Sequence, residues 1–175
     1  MQNNTERVKQ KEELKKKFSD LNRNFKQRYP EASLTVLQFI ADFMTHAAAT
    51  DEECEVLRLT FHAGYCWHFA HILKDTFKRG EVCWAAPFSH FVWVDDNGVP
   101  YDIEGVNEGE QDYNIPESYL GDKIKDFTHI PGEYVPVTTD DEVIEIIRKY
   151  EEDYNLPRKQ ITMYHFDERG TKTYC

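Results

Sequence analysis

The sequence predicts an α+β fold with an antiparallel sheet, and three observations lead to that prediction. Residues 1–80 repeatedly place apolar side chains at helical spacing. Residues 82–105 instead contain short β-rich runs divided by turn residues, and a further helical pattern follows at 140–154. Helices grouped before the strands, rather than alternating with them, are typical of an α+β domain.

Three helices are predicted in the first third of the chain. The first covers 6–29, where one apolar stripe recurs every three or four residues. The second follows Ser33, a typical N-cap residue, and ends near residue 48. The third begins after Thr50, which forms a capping-box pattern with Glu53, and continues to about residue 57.

A fourth helix is predicted in the segment GYCWHFAHILKDTFKRG, and it begins at Cys66. Its apolar side chains recur at helical spacing and form one core-facing stripe, made of Cys66, Phe69, Ala70, Leu73 and Phe77. Gly80 ends the pattern. The remaining elements are predicted strands at 82–86, 90–95, 99–105 and 161–166, a turn at 96–98, an irregular stretch at 107–122, a proline-interrupted strand at 130–137 and a helix capped by Thr139 or Asp140.

Composition and charge favour one folded domain with a basic extension. The chain has 175 residues, of which 40% are hydrophobic, and this suffices for one buried core. Residues 1–30 hold nine Lys and Arg against four Asp and Glu, although the whole chain carries a net charge of −11. We therefore expect a basic helix at 1–30, as an arm or a packed extension, and a single α+β domain at 31–175.

The same charge distribution restricts the partners. An acidic body lacks the clustered Lys and Arg that phosphate contacts need, so nucleic acid is not expected as a partner and a peptide- or protein-like amide is favoured. No segment resembles a signal peptide or a membrane span, so a cytoplasmic location without membrane contact is expected. Four cysteines without a CxxC pair fit a reducing compartment, where a free thiol persists.

Cys66 is the main candidate for a chemical role. The N-terminus of a helix carries partial positive charge and free N–H groups, which favour a thiolate and can also donate to an oxyanion. A thiolate is the nucleophilic form of cysteine, so this position suits covalent catalysis. The alternative interpretation is structural, because free cysteine is among the most buried residue types and Cys66 begins the apolar stripe.

His90 and an acidic residue on the next strand are the candidate partners of this thiol. His90 opens a predicted strand directly after Pro87-Phe88-Ser89, where a general base could face the helix end. Asp102 and Glu104 lie on the following predicted strand, and either could orient the imidazole. Whether they face His90 depends on the loop that joins the two strands, since successive side chains of a strand point to opposite faces.

The length of that loop therefore decides whether a triad can form. With a two-residue loop, Asp102 would pair with Trp93, and both acidic side chains would point away from His90. With a three-residue loop at 96–98, a type I turn followed by a left-handed glycine, Val92 faces Asp102 and both acidic side chains share the face of His90. We predict the three-residue loop.

Two segments resemble a known superfamily. GYCWHFA is similar to the Gly-x-Cys-Trp-x-Phe-(Ser/Ala) signature at the nucleophile of papain-like cysteine peptidases. HFVWVDDNGVPYDIEG resembles the His-strand and Asp-strand hairpin of compact, transglutaminase-like members. The resemblance implies a papain-like fold, in which N-terminal helices and a nucleophile helix pack on a small antiparallel sheet. It also implies that Cys66 is the nucleophile, His90 the base and Asp102 the orienting acid.

These roles predict a cysteine-dependent acyl-transfer enzyme without a cofactor. It would act on an amide or thioester carbonyl as a peptidase, amidase, deamidase or transglutaminase-like transferase. Glu104 is a further candidate for the orienting acid. Trp67 is expected in the hydrophobic core or in the wall of the cleft. The candidates for the second oxyanion donor are His62 and the backbone N–H of Cys66.

Two other interpretations stay open at this stage. A catalytically silent papain-like domain could bind a protein partner through its acidic body and basic helix. A zinc site could instead be built from cysteine and histidine side chains, and the candidates for it are Cys54, His62, Cys66, His68 and His71. Cys66 and His68 point to different faces of the predicted helix, so we predict no metal site.

Overall fold

The structure, a computed structural model, describes residues 4–62, 64–127, 139–161, 163–166 and 172–174. Its architecture is α+β, as predicted, with four helices before a five-stranded antiparallel sheet. The helices are α1 (Asn4–Arg28), α2 (Leu34–Ala47), α3 (Asp51–His62), α4 (Cys66–Phe77), α5 (Ile124–Phe127) and α6 (Asp140–Asp153), and a 3₁₀ helix covers Glu117–Lys123.

The sheet gathers strands from the middle of the chain. They are β1 (Glu81–Ala86), β2 (Phe91–Val94), β3 (Pro100–Asp102), β4 (Gly105–Val106) and β5 (Tyr113–Pro116), in the spatial order β4-β3-β2-β1-β5. Two more strands, β6 (Tyr164–Phe166) and β7 (Lys172–Tyr174), pair with each other in a separate sheet. The central strands β1, β2 and β3 follow one another in sequence, so the segment after α4 forms the middle of the sheet.

The basic helix α1 is packed against the rest of the domain. Its Leu14 and Phe25 are buried in the same hydrophobic core as the central strands. Nη1 of Arg7 lies 2.8 Å from Oε1 of Glu53 in α3, so part of its basic surface meets acidic residues of the body. Among the described residues, no helix combines the length and the apolar character needed to cross a bilayer.

The helix α4 begins at Cys66, as predicted, and lies over the central strands. Its Phe69 and Leu73 are almost completely buried. At its other end the ring of Phe77 stacks on Trp93 of β2, with 5.5 Å between ring centroids. Apolar contact at both ends of one face stabilises the helix on the sheet and gives the position of Cys66 little freedom.

The helix α3 continues to His62, beyond its predicted end near residue 57. The added turn carries Phe61, whose ring packs edge-on against Phe43 of α2 at a centroid distance of 5.3 Å. This long-range aromatic contact stabilises the turn, and the local sequence pattern does not contain it. The extension moves His62 close to the start of α4.

The strand predicted at 99–105 is in fact two strands. β3 ends at Asp102, and a tight turn at Ile103 and Glu104 leads into β4. Gly105 has a φ of +108°, a backbone conformation that glycine adopts without steric cost. The chain therefore reverses immediately after Asp102, so Glu104 lies in a turn and not in a strand beside β2.

The stretch 107–122, predicted to be irregular, contains β5 and part of the 3₁₀ helix. β5 pairs with β1, and Ile115 lies opposite Trp84, both of them completely buried. Such pairing depends on distant residues, which explains why turn-rich local composition concealed the strand. The strand predicted at 130–137 lies outside the described residues.

The loop between β2 and β3 has the predicted length. Gly98 N donates to Asp95 O at 2.9 Å, and Gly98 has a φ of +80°. Trp93 consequently pairs with Tyr101. This is the register of a three-residue loop, so the prediction of the loop is confirmed, and Asp102 takes the position opposite Val92.

We expect Gly105→Ala to lower the free energy of unfolding by about 1–3 kcal/mol. A Cβ at this position would lie 2.7 Å from Cε2 of Phe25 in α1, on a backbone that favours glycine. Gly98→Ala is the matched control, because Gly98 also has a positive φ but its Cβ would meet nothing within 4 Å. Urea unfolding compares the two variants, and equal losses would mean that the contact with α1 contributes nothing.

Candidate active site

Cys66 lies at the N-terminus of α4. Tyr65 is the N-cap residue, and no side chain caps the helix there. The first backbone N–H groups of α4 therefore have no side-chain acceptor, and the helix end keeps its partial positive charge. The Cys66 side chain is 6% exposed, and it lies close enough to the side chain of His90 to raise the pKa of that ring. The sulfur is therefore buried but has a polar partner.

His90 connects this thiol to a carboxylate. It lies between β1 and β2, where its carbonyl oxygen accepts from Ala85 N at 2.9 Å. Nε2 of its ring is 2.9 Å from Oδ2 of Asp102. Because Asp102 occupies Nε2, Nδ1 is the ring nitrogen left for Cys66. The structure thus brings together the three residues for which the sequence suggested catalytic roles.

Further hydrogen bonds hold Asp102 in place. Its Oδ2 also accepts from Nδ2 of Asn107 at 2.8 Å, and its Oδ1 accepts from the backbone N of Glu104 at 2.8 Å. Burial by itself would raise the pKa of Asp102, but the hydrogen bonds and the charge of His90 outweigh it and keep this pKa below its ordinary value. Asp102 is therefore an anion whose position is determined by three donors.

The environment of His90 favours its protonated form. Burial by itself would lower the pKa of His90, because a charged ring loses hydration in the interior. The hydrogen bonds and charges of Asp102 and Cys66 outweigh burial and raise the pKa of His90 to about 9. The ring is consequently a stronger base than an ordinary imidazole.

The other described cysteines, Cys54 and Cys83, have different surroundings. Burial, together with the charge of Glu81, raises the pKa of Cys83 to about 12. Burial also raises the pKa of Cys54, and the nearby carboxylate of Asp51 adds to the effect. Both groups therefore remain neutral thiols at neutral pH, whereas Cys66 has an imidazole partner.

His62, at the end of α3, lies beside this chain of contacts. Its ring is tilted against that of His90, with 4.5 Å between centroids, and its Nδ1 is 3.9 Å from Oδ2 of Asp102. Glu104 was expected to share the face of His90, but its Oε2 lies 3.2 Å from Nδ1 of His62 and its Oε1 accepts from Arg58 at 3.3 Å. Glu104 therefore lies near the site through His62, but it is not paired opposite His90, because the chain reverses directly after β3.

Trp67, predicted to belong to the core or to a cleft wall, lies partly buried on the flank of α4. Its Nε1 donates to Oε2 of Glu117 at 2.7 Å. Nε2 of His71, one turn further along α4, is 3.1 Å from the same oxygen, and the two rings pack at 4.2 Å. Glu117 thereby joins the nucleophile end of α4 to the start of the 3₁₀ helix.

The zinc set considered from the sequence is not brought together. Within the described ranges, the group of donor atoms that lie within 4.8 Å of one another consists of His62, His90 and Asp102. His62 is the single member that the two sets share. Cys66 lies beside His90, whereas Cys54, His68 and His71 of the sequence-based set belong to different environments.

A polar network behind Asp102 was not predicted. Asn107, which donates to Asp102, accepts from Nε2 of Gln111 at 2.7 Å. Gln111 also donates to Oδ1 of Asn114 in β5 at 3.0 Å. The signal available in the sequence was the cluster of amide side chains, each of which can both donate and accept. Through them the edge strand β5 supports the orientation of Asp102.

No family model, curated protein or solved structure matches this chain. The chemistry of the site is therefore inferred from its own contacts. These contacts are a thiol at an uncapped helix N-terminus, an imidazole beside the thiol, and a buried carboxylate hydrogen-bonded to the imidazole.

Proposed function

We propose that the protein is a cysteine-dependent acyl-transfer enzyme, with Cys66 as nucleophile, His90 as general base and Asp102 as the residue that orients His90. The observation that carries the proposal is that His90 lies beside Cys66 and is hydrogen-bonded to Asp102 at the same time. Thiol catalysis needs a nucleophile, a base within reach and a group that orients the base. The resemblance of GYCWHFA to papain-like nucleophile segments supports the same assignment.

In the first step His90 takes the Cys66 proton on the ring nitrogen that is not bonded to Asp102. The thiolate attacks the carbonyl carbon of an amide or thioester, and an electron pair moves onto the carbonyl oxygen. Backbone N–H groups at the start of α4 donate to this oxyanion. His90 then returns its proton to the leaving group, the bond to that group breaks, and an acyl thioester remains on Cys66.

The thioester passes its acyl group to water or to an amine. Water as the acceptor makes the enzyme a peptidase, amidase or deamidase, and an amine makes it a transglutaminase-like transferase. The net charge of −11 favours a cationic or neutral peptide-like substrate over a nucleic acid. The proposed scheme uses only side chains and backbone of this chain, without a cofactor.

Alkylation by iodoacetamide tests whether Cys66 is activated. In a Cys175→Ser background, used because Cys175 lies outside the described residues, we expect Cys66 to react faster than Cys54 and Cys83 at mildly acidic pH. The raised pKa values of Cys54 and Cys83 keep them neutral, whereas a thiolate paired with a protonated His90 reacts. Peptide mass spectrometry identifies the modified cysteine.

His90→Phe should slow the alkylation of Cys66 by at least about tenfold, because the proton acceptor is removed. His68→Phe is the matched control, since the His68 ring packs on Tyr65 and Trp67 instead. Circular dichroism checks the fold of both variants. Equal labelling of all described cysteines, or no effect of His90→Phe, would favour a catalytically silent binding domain.

A further inference from the structure

We propose that His62, His90 and Asp102 form a binding site for a divalent transition-metal cation of the Zn²⁺ type. A bound cation would take the imidazole nitrogen and the carboxylate oxygen that thiol chemistry uses, and it would therefore inhibit that chemistry. The inhibition rests on the proposed function, whereas the binding does not. Two imidazole nitrogens and one carboxylate oxygen, with water as a fourth ligand, are a donor set that suits zinc.

The distances between the donor atoms fit such a cation. Two ligand atoms that are each about 2.1 Å from zinc lie roughly 3.0–3.4 Å apart at the usual angles. Nε2 of His90 and Oδ2 of Asp102 are already 2.9 Å apart. Nδ1 of His62 is 3.9 Å from the same oxygen and needs only a small rotation, which its 38% exposed side chain permits.

His62 presents an unpaired nitrogen to this group. Its Nδ1 is buried and has no hydrogen bond among the described residues, although Oε2 of Glu104 lies 3.2 Å away at an unsuitable angle. A buried polar atom without a partner is destabilising, so its presence here needs a reason. With the ring proton on Nε2, the lone pair of Nδ1 is available to a cation.

The local charge also favours a cation. Asp102 and Glu104 contribute two carboxylates beside the two imidazoles, and Arg58 is paired with Glu104 on the solvent side. The Asp102 carboxylate is almost completely buried, where water screens its charge poorly. A divalent cation between neutral imidazoles would balance these charges.

Binding would change what His90 can do. A cation on Nε2 replaces the hydrogen bond to Asp102, and the proton of Nε2 leaves to solvent. The remaining ring proton is then on Nδ1, the nitrogen that faces Cys66. The ring is then neutral, so a Cys66 thiolate is no longer paired with an imidazolium and takes a proton from solvent. Because Nδ1 already carries a proton, His90 cannot accept this thiol proton, and the thiolate does not form again.

Zinc titration by calorimetry tests the site. The protein used carries Cys66→Ser and Cys175→Ser, so that binding is measured without the proposed nucleophile. We expect it to bind one Zn²⁺ per chain. In this background His62→Gln should weaken Zn²⁺ binding by about tenfold or more, because even the loss of an outer-shell partner of a metal site has an effect of that size. His46→Gln is the matched control, because His46 also lies in the last turn of its helix. Unchanged affinity in His62→Gln, or an equal loss in His46→Gln, would overturn the site.

The inhibitory role has its own readout. In the Cys175→Ser protein, Zn²⁺ should slow alkylation of Cys66 by iodoacetamide, and a chelator should restore the rate. His62→Gln should make this rate insensitive to the same Zn²⁺ concentration. If Zn²⁺ binds but does not slow the alkylation of Cys66, the inhibitory role is wrong and the binding site is still supported. Slow alkylation of Cys66 without metal would contradict the proposed function, while the calorimetric result would still decide the site.

Discussion

Replacing Cys66 with serine is expected to lower amide or thioester turnover by at least about 10⁴-fold. A hydroxyl is close in size to a thiol, so the buried position at the start of α4 should remain filled. A hydroxyl loses its proton much less readily than a thiol, and His90 alone does not compensate for this. Initial rates with peptide amides and thioesters, with and without an added amine acceptor, measure the effect.

Cys54→Ser and Cys83→Ser are the matched controls for this experiment. Both remove a buried thiol with the same change of atoms, but neither thiol lies beside an imidazole. Their turnover should stay close to that of the unchanged protein. A comparable loss in either variant would attribute the effect to packing, and full turnover in Cys66→Ser would remove the thiol mechanism.

Parts of the site that depend on local structure could be predicted from the sequence. Cys66 begins a helix whose apolar stripe is visible in a single segment. The register between β2 and β3 follows from one short loop, in which Gly98 supplies a positive φ. Since side chains alternate along a strand, that loop alone brings Asp102 to the same face as His90.

Parts that depend on distant contacts could not be predicted. Ile103 is buried and continues the alternating pattern of a strand, yet it lies in the turn that separates β3 from β4. The turn places Gly105 against Phe25 of α1, about eighty residues earlier in the chain. No local pattern contains that contact, so Glu104 was expected beside His90 and instead lies beside His62.

The same reason applies to the polar network behind Asp102. Asn107 reaches the carboxylate because the reversal into β4 brings it back toward β3, where its N donates to Pro100 O at 2.8 Å. Gln111 and Asn114 join it because β5 pairs with β1. Both arrangements are tertiary, and a turn-rich sequence reveals only that amide side chains are available.

Asp102→Asn is expected to lower turnover by about 10²–10⁴-fold and the free energy of unfolding by about 1–3 kcal/mol. Oδ2 of Asp102 accepts from His90 and Asn107, and Oδ1 accepts from the backbone N of Glu104. An asparagine has one acceptor oxygen and one NH₂ group. In either orientation its NH₂ group therefore faces at least one buried donor.

The orientation of the new amide also decides the ring tautomer. If its oxygen accepts from the backbone N of Glu104, its NH₂ group donates to Nε2 of His90, and the ring proton must move to Nδ1. That nitrogen can then no longer take the proton of Cys66. Chemical denaturation and initial rates measure the loss of stability and the loss of turnover separately.

The double variant Asp102→Asn with Asn107→Asp separates these two effects. A carboxylate at position 107 accepts from the amide introduced at position 102, so the clash between donors disappears and stability should recover. It can also still accept from Gln111, which preserves the link to β5. Turnover should remain low, because Nε2 of His90 still faces a donor and the ring keeps the wrong tautomer. Recovery of turnover together with stability would mean that His90 needs no carboxylate bonded directly to its Nε2.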